Sequence, residues 1–107
     1  MINELSKRAY ETAYKHGFYE AERNFGEVIA LIHSELSEAL EEYRKGKAFN
    51  EIYYEKGNKP CGIPSELADV VIRVFDFCGA NDIDLEKIIL EKMDYNETRP
   101  YKNGKKY

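Results

Sequence analysis

FGEVIALIHSELSEALEEYRKG, residues 25–46, is the stretch that decides the fold. At about 100° per residue, Val28, Ile32, Leu36, Ala39, Leu40 and Tyr43 fall on one arc of a helical wheel. Gly46 follows as a C-terminal stop, so the spacing predicts a helix over about 25–45. Glu35 sits on the border of the apolar arc and Glu38 and Glu42 lie just beyond it. The acids therefore share an edge of the core.

Three more segments carry helical spacing. Helix one runs from about Asn3, read as the N-cap, to His16, with Gly17 as its stop and Ile2, Leu5, Ala9 and Ala13 as its stripe. Helix three begins near Pro64-Ser65 and closes at Gly79. Helix four starts at Asp82 or Asp84 and ends before Pro100, since the residue before a proline disfavours α geometry. No segment shows the sustained alternation of a half-buried strand. The expected fold is all-α, a four-helix bundle-like domain completed by dimerisation. Ile72 and Phe75 fall outside the core arc of helix three, which makes that helix apolar almost all round. They are read as a dimer surface, in a homodimer or a dimer of dimers. Residues 46–64, GKAFNEIYYEKGNKPCGIP, lack periodicity and are read as a loop over one end of the bundle.

The chain has 107 residues, 43% hydrophobic and 34% charged, which fits one domain over 1–107 and leaves no room for two. No apolar run approaches the ~20 residues of a membrane span. The first residues mix charge into every turn and lack an apolar signal region, so a cytoplasmic protein without a membrane partner is expected. Cys61 and Cys78 make neither a disulfide framework nor a zinc spacing and are read as reduced structural thiols. Net charge is −4, unevenly placed: residues 99–107 carry Arg99, Lys102, Lys105 and Lys106 with no acid. Residues 1–98 hold 12 basic against 20 acidic residues, net −8. An acidic body with a short basic tail argues against nucleic acid as partner, which requires a basic face.

Helix three repeats the phase of helix two. Ile63, Leu67, Val70, Val74, Phe77 and Cys78 form its apolar arc, Glu66 takes the border and Asp69 the position beyond. Glu35-x-x-Glu38 and Glu66-x-x-Asp69 thus occupy equivalent angles, and packing the two helices together lets four carboxylates converge. A solvated face is the ordinary reading of one such acid pair; two in matched phase are far rarer. Partly desolvated carboxylates without counter-charge are costly, so a cation is expected among them. Arg73, four residues after Asp69, can pair with it; nothing comparable neutralises Glu35, Glu38 and Glu42, because Lys45 suits Glu41 better. An all-oxygen anionic set suits Mg²⁺, with Mn²⁺ as a substitute, whereas zinc or copper would want His or Cys. Mg²⁺ commonly takes further ligands from substrate phosphates, which points to a nucleotide or diphosphate.

On helix four the stripe Leu85, Ile88, Ile89 continues into Lys92, Asn96 and, past the helix, Arg99. Lysine and arginine suit a polyphosphate and asparagine a sugar or base; the plainer account is a basic helix end favoured by its dipole. His16 and His33 read as capping or surface residues, and Tyr53 and Tyr54 as loop packing that could stack on a base.

At these residues the chain resembles the MazG-like nucleoside triphosphate pyrophosphohydrolases, an all-α superfamily with the signature EExxE, a spacer, then ExxD. Here the signature reads Ser34-Glu35-Leu36-Ser37-Glu38, 27 intervening residues, then Glu66-Leu67-Ala68-Asp69. Ser34 stands where the signature has its first Glu. The segments HSELSEALEEYRKGK, KPCGIPSELADVVIRVFDFC and EKMDYNETRPYKNGKKY are similar to the small single-domain branch, and the resemblance covers about residues 25–107. It implies Mg²⁺ on Glu35, Glu38, Glu66 and Asp69, and substrate contacts from Lys92 and Asn96. The reaction it implies cleaves between the α- and β-phosphates of a nucleoside triphosphate, with Glu35 or Glu38 activating water. Phosphoribosyl-ATP pyrophosphohydrolase is a neighbour differing in substrate. Helix one matches no motif. A non-catalytic helical module, binding a nucleotide or a protein partner without turnover, is the alternative that Ser34 keeps open.

Overall fold

The computed structural model describes residues 1–101. In chain order it contains α1 (Ile2–Lys15), α2 (Phe25–Arg44), β1 (Tyr53–Glu55), β2 (Lys59–Cys61), α3 (Ile63–Ala80) and α4 (Leu85–Glu97). The described residues are mostly helical, as expected, with a small two-stranded sheet inside the 46–64 segment expected to be a loop. β1 and β2 pair antiparallel, Tyr53 opposite Cys61 and Glu55 opposite Lys59. Their turn uses positive φ at Gly57 and Asn58, the backbone that tight hairpins favour.

Capping explains where the helices begin. Asn24 Oδ1 accepts from the Glu27 amide at 2.9 Å while Asn24 Nδ2 donates to the Glu27 carboxylate, also at 2.9 Å, a reciprocal cap for α2. α3 starts at a glycine corner: Gly62 has φ +116°, and a Cβ there would sit 2.4 Å from the Glu51 carbonyl oxygen. Asp84 caps α4 by accepting from the Lys87 amide at 3.1 Å. Asn3 does not cap its own helix. Its Oδ1 accepts from the Glu86 amide at 3.1 Å, and Glu86 in return accepts from the Ile2 amide at 2.8 Å. The N-termini of α1 and α4 thus satisfy each other's orphan amides.

α3 is the central helix, packed by α1 on one side and α2 on the other, while α4 rests against α1. This differs from a closed four-helix bundle. α1 approaches α3 closely because the contact is made of small groups: Ser6 is buried, and a Cβ on Gly79 would lie 2.4 Å from the Ser6 carbonyl oxygen. Gly79 is therefore a crossing point inside α3, which continues to Ala80, and not the stop its residue type suggested. α2 and α3 run antiparallel. Phe25 meets Phe77 at one end, ring centroids 5.2 Å apart, and Glu35 meets Arg73 midway. The α2 arc expected to be core divides. Val28, Ile32 and Ala39 are half-buried against α3 together with Glu35, whereas Leu36, Leu40 and Tyr43 are exposed.

Candidate metal centre and the groove beside it

Glu35 on α2 and Glu66 and Asp69, one turn apart on α3, are set opposite one another by the antiparallel packing. A carboxylate oxygen from each lies within 4.8 Å of the other two. Three of the four residues expected to ligate a cation therefore meet in one chain. Glu38 is exposed and outside the trio, although its charge still acts on Glu66.

The electrostatics are those of a site rich in negative charge. Partial burial, then the carboxylates of Asp69, Glu35, Glu38 and Glu42, push the Glu66 carboxyl above its ordinary range. Asp69 is raised as well, by partial burial and by Glu35, with Arg73 and Lys59 opposing. Arg73 is the cation in contact, but not as its spacing suggested. It reaches across to α2, where its Nε lies 3.0 Å from Glu35 Oε1, instead of pairing with Asp69 along its own helix.

Glu42 also departs from expectation. It is buried, accepts from the Tyr53 hydroxyl with both oxygens at 2.9 Å, and has Lys45 Nζ at 3.8 Å; Glu41 pairs with Arg44. The bond to Glu42 pushes the Tyr53 hydroxyl up to about 12. Glu42 thus anchors the β1–β2 hairpin to the end of α2.

The donor chemistry fits Mg²⁺: three carboxylates, no His or Cys, and oxygens spread only slightly beyond the roughly 3–4 Å between ligands of an octahedral shell.

A groove of about 670 Å³ adjoins the trio, with Glu35 and Asp69 in its wall. α1 supplies much of the rest, including Arg8 and Thr12, and α3 contributes Ile72, Arg73 and Phe75. Ile72 and Phe75, expected to form a dimer surface, are among the residues that line this groove. The 16–24 connection closes one end with Phe18 and Arg23. That connection is pinned by Asp76, a buried acid that accepts from the Tyr19 hydroxyl at 2.6 Å and has Arg23 Nη1 at 3.8 Å. Burial and this bond raise the Tyr19 hydroxyl well above its usual value.

Sequence reasoning missed the part played by α1, and the wheel carries little signal for it: Arg8 lies about 60° outside the α1 stripe, whereas Glu35 lies about 20° outside the α2 arc. Lys92, Asn96 and Arg99 are exposed on or just past α4, where Lys92 and Arg99 lie 5.9 and 5.6 Å from the Tyr95 ring centroid. They are not among the groove residues. Lys102, Lys105 and Lys106 of the basic tail lie outside the described residues. Ser34 is exposed, its hydroxyl donating to the Leu31 carbonyl at 2.7 Å. No helix is long and apolar enough to cross a membrane among the described residues. No protein family, curated protein or solved structure matches the chain.

Proposed function

We propose that the chain is a Mg²⁺-dependent nucleoside triphosphate pyrophosphohydrolase, converting a (deoxy)nucleoside triphosphate to the monophosphate and pyrophosphate as nucleotide-pool house-cleaning. One observation carries this reading: opposite charges lie side by side. Of three carboxylates that fit a divalent cation, two, Glu35 and Asp69, wall a groove also lined by Arg8, Arg23 and Arg73. A magnesium–triphosphate complex presents both signs, cation to the acids and phosphate oxygens to the guanidinium forks. About 670 Å³ is within the range of small-molecule sites.

In this reading Glu35, Glu66 and Asp69 hold the metal with Glu38 closing the set. When bound, Mg²⁺ supplies charge neutralisation at the phosphates and acidifies water at the site. Glu35 or Glu38 would orient and deprotonate the attacking water. Arg73, which pairs with Glu35 and lines the groove, would meet the phosphates. We assign Lys92, Asn96 and Arg99 to the substrate across a subunit boundary, because within one chain they lie apart from the groove. The protein then works in the cytoplasm as a homodimer or dimer of dimers.

The test is to incubate the purified protein with each nucleoside triphosphate and Mg²⁺, with and without EDTA, and to identify products. Metal-dependent monophosphate and pyrophosphate are expected; no product from any base refutes the enzyme. Two observations favour the non-catalytic nucleotide-binding or protein-interaction module in that event. Arg73 already neutralises Glu35, and Ser34 offers no carboxylate.

A further inference from the structure

The 16–24 connection between α1 and α2 holds a cation whose donors are unused. Arg23 directly precedes Asn24, whose side chain caps α2, so its backbone is fixed where that helix begins. Its side chain is only 17% exposed, yet among the described residues it donates no hydrogen bond. What holds it is looser: Nη1 lies 3.8 Å from Asp76 Oδ2, and the guanidinium carbon stands 5.3 Å from the Tyr19 ring centroid. A guanidinium carries five N–H donors, and withdrawing such a group from water without hydrogen bonds is costly. Arg23 is therefore a group that lacks an acceptor.

Tyr19 explains why Asp76 does not take those donors. Asp76 is buried, and the Tyr19 hydroxyl donates to its Oδ1 at 2.6 Å, a short charge-assisted bond. One oxygen is thus satisfied, and the other faces Arg23 without bonding to it. The Tyr19 ring is in turn held edge-on by Tyr10, ring centroids 5.1 Å apart. Asp69, Arg73 and Asp76 recur at i, i+4 and i+7 on α3 and all line the groove. At 1.5 Å per residue, Asp76 lies about 10 Å along α3 from Asp69. Arg23 lines the groove beside Asp76, away from the carboxylate trio.

We propose that Tyr19 and Asp76 are positioning residues that hold the Arg23 guanidinium, its donors unused, at the end of the groove as the contact for the substrate phosphate farthest from the metal. Resting on the reading of the groove as a triphosphate site, this assigns the buried acid and the tyrosine a part in substrate affinity. The Asp76 carboxylate draws the guanidinium to the groove wall. The Tyr19 hydroxyl, by occupying the other oxygen, keeps the pair from closing into a two-bond fork that would use up the donors. An arriving phosphate meets a guanidinium already in place, so less side-chain freedom is lost on binding. Because Arg23 stands away from the acids, its contact is the same before and during bond cleavage and serves binding more than rate.

Binding of inorganic tripolyphosphate with Mg²⁺ to the full chain, read by isothermal titration calorimetry, tests this without turnover. Arg23→Gln is expected to weaken binding at least about tenfold, the loss of a charge-assisted hydrogen bond. Tyr19→Phe changes no charge and keeps the ring, yet should weaken binding roughly three- to tenfold. Combined with Arg23→Gln it should add nothing, because the two act through one contact; a merely structural Tyr19 would weaken both backgrounds alike. Should Tyr19→Phe fail to fold, Asp76→Asn decides in the same two backgrounds. Simple relief of negative charge would strengthen anion binding, whereas lost positioning weakens it, and only where Arg23 is present. With a nucleoside triphosphate as substrate, the loss should appear in KM. Failure of the enzymatic reading looks different: no monophosphate from any nucleotide, with Arg23-dependent tripolyphosphate binding intact, refutes the enzyme and keeps the phosphate contact. No binding by wild type, wild-type affinity in Arg23→Gln, or an equal loss from Tyr19→Phe with and without Arg23 overturns the inference.

Discussion

Replacing Glu66 by Gln separates a cation site from a merely solvated acidic edge, since only the first makes stability and metal response move in opposite directions. Gln keeps the size and hydrogen-bonding reach of Glu and removes its charge. At 4.8 Å, the spread of the trio, two unit charges repel by about 3.5 kcal/mol at an effective dielectric of 20 and about 0.9 kcal/mol in bulk water. Glu66 is partly exposed and one neighbour, Glu35, is already tied to Arg73, so the low end applies. Relief of about 1 kcal/mol is expected without metal, which for a domain near this size raises the melting temperature by about 4–8 °C. With Mg²⁺ the order reverses. Wild type gains RT ln(1 + [Mg²⁺]/Kd), and the variant, short of one ligand, gains much less and releases no pyrophosphate. Thermal unfolding by circular dichroism, in EDTA and across a Mg²⁺ titration, reads both effects. A Glu66→Gln protein no more stable than wild type in EDTA, and equally stabilised by Mg²⁺, would refute the reasoning.

The raised carboxyls of Glu66 and Asp69 set a pH dependence of known sign. The folded state binds these protons more tightly than the unfolded, so the stability they contribute is complete below the ordinary carboxylate range and lost as pH rises through their elevated folded values. Asp84 and Glu86 are lowered by their hydrogen bonds and act in reverse; urea midpoints of wild type minus Glu66→Gln, in EDTA over a pH series, should isolate the first effect. Asp76→Ala strips the partner from Tyr19 and Arg23 and should cost about 3 kcal/mol, measured by urea unfolding; a loss under 1 kcal/mol would argue that the 16–24 connection is held otherwise. Gly79→Ala adds a Cβ 2.4 Å from the Ser6 carbonyl oxygen. Overpacking of about 1–3 kcal/mol or more should outweigh the ~1 kcal/mol gain in helix propensity, and a neutral or stabilised variant would mean that α1 can slide.

How much of this was legible depends on whether a feature lives within one helix or between two. The phase of Glu35 relative to Val28 and Ile32, and of Glu66 and Asp69 relative to Val70, is fixed by the helical repeat alone, so convergence of the trio could be anticipated from spacing. Of the two starts that the sequence offers for α4, Asp82 and Asp84, the cap is Asp84, which acts on an amide three residues away. Gly79 shows the limit of local reading: glycine ends helices and also admits a neighbour's backbone, and only the position of Ser6 distinguishes the two. Arg73 is the same problem in charge. Along its own helix it is one turn from Asp69, yet the rotation of α2 against α3 gives it Glu35. That same rotation turns Leu36 and Leu40 out of the core and Glu42 into it. A wheel fixes angles within a helix but not which part of the apolar arc meets a neighbour. Helix α2 carries such an arc. One part of it, Val28, Ile32 and Ala39, meets α3, and the remainder, Leu36 and Leu40, is exposed.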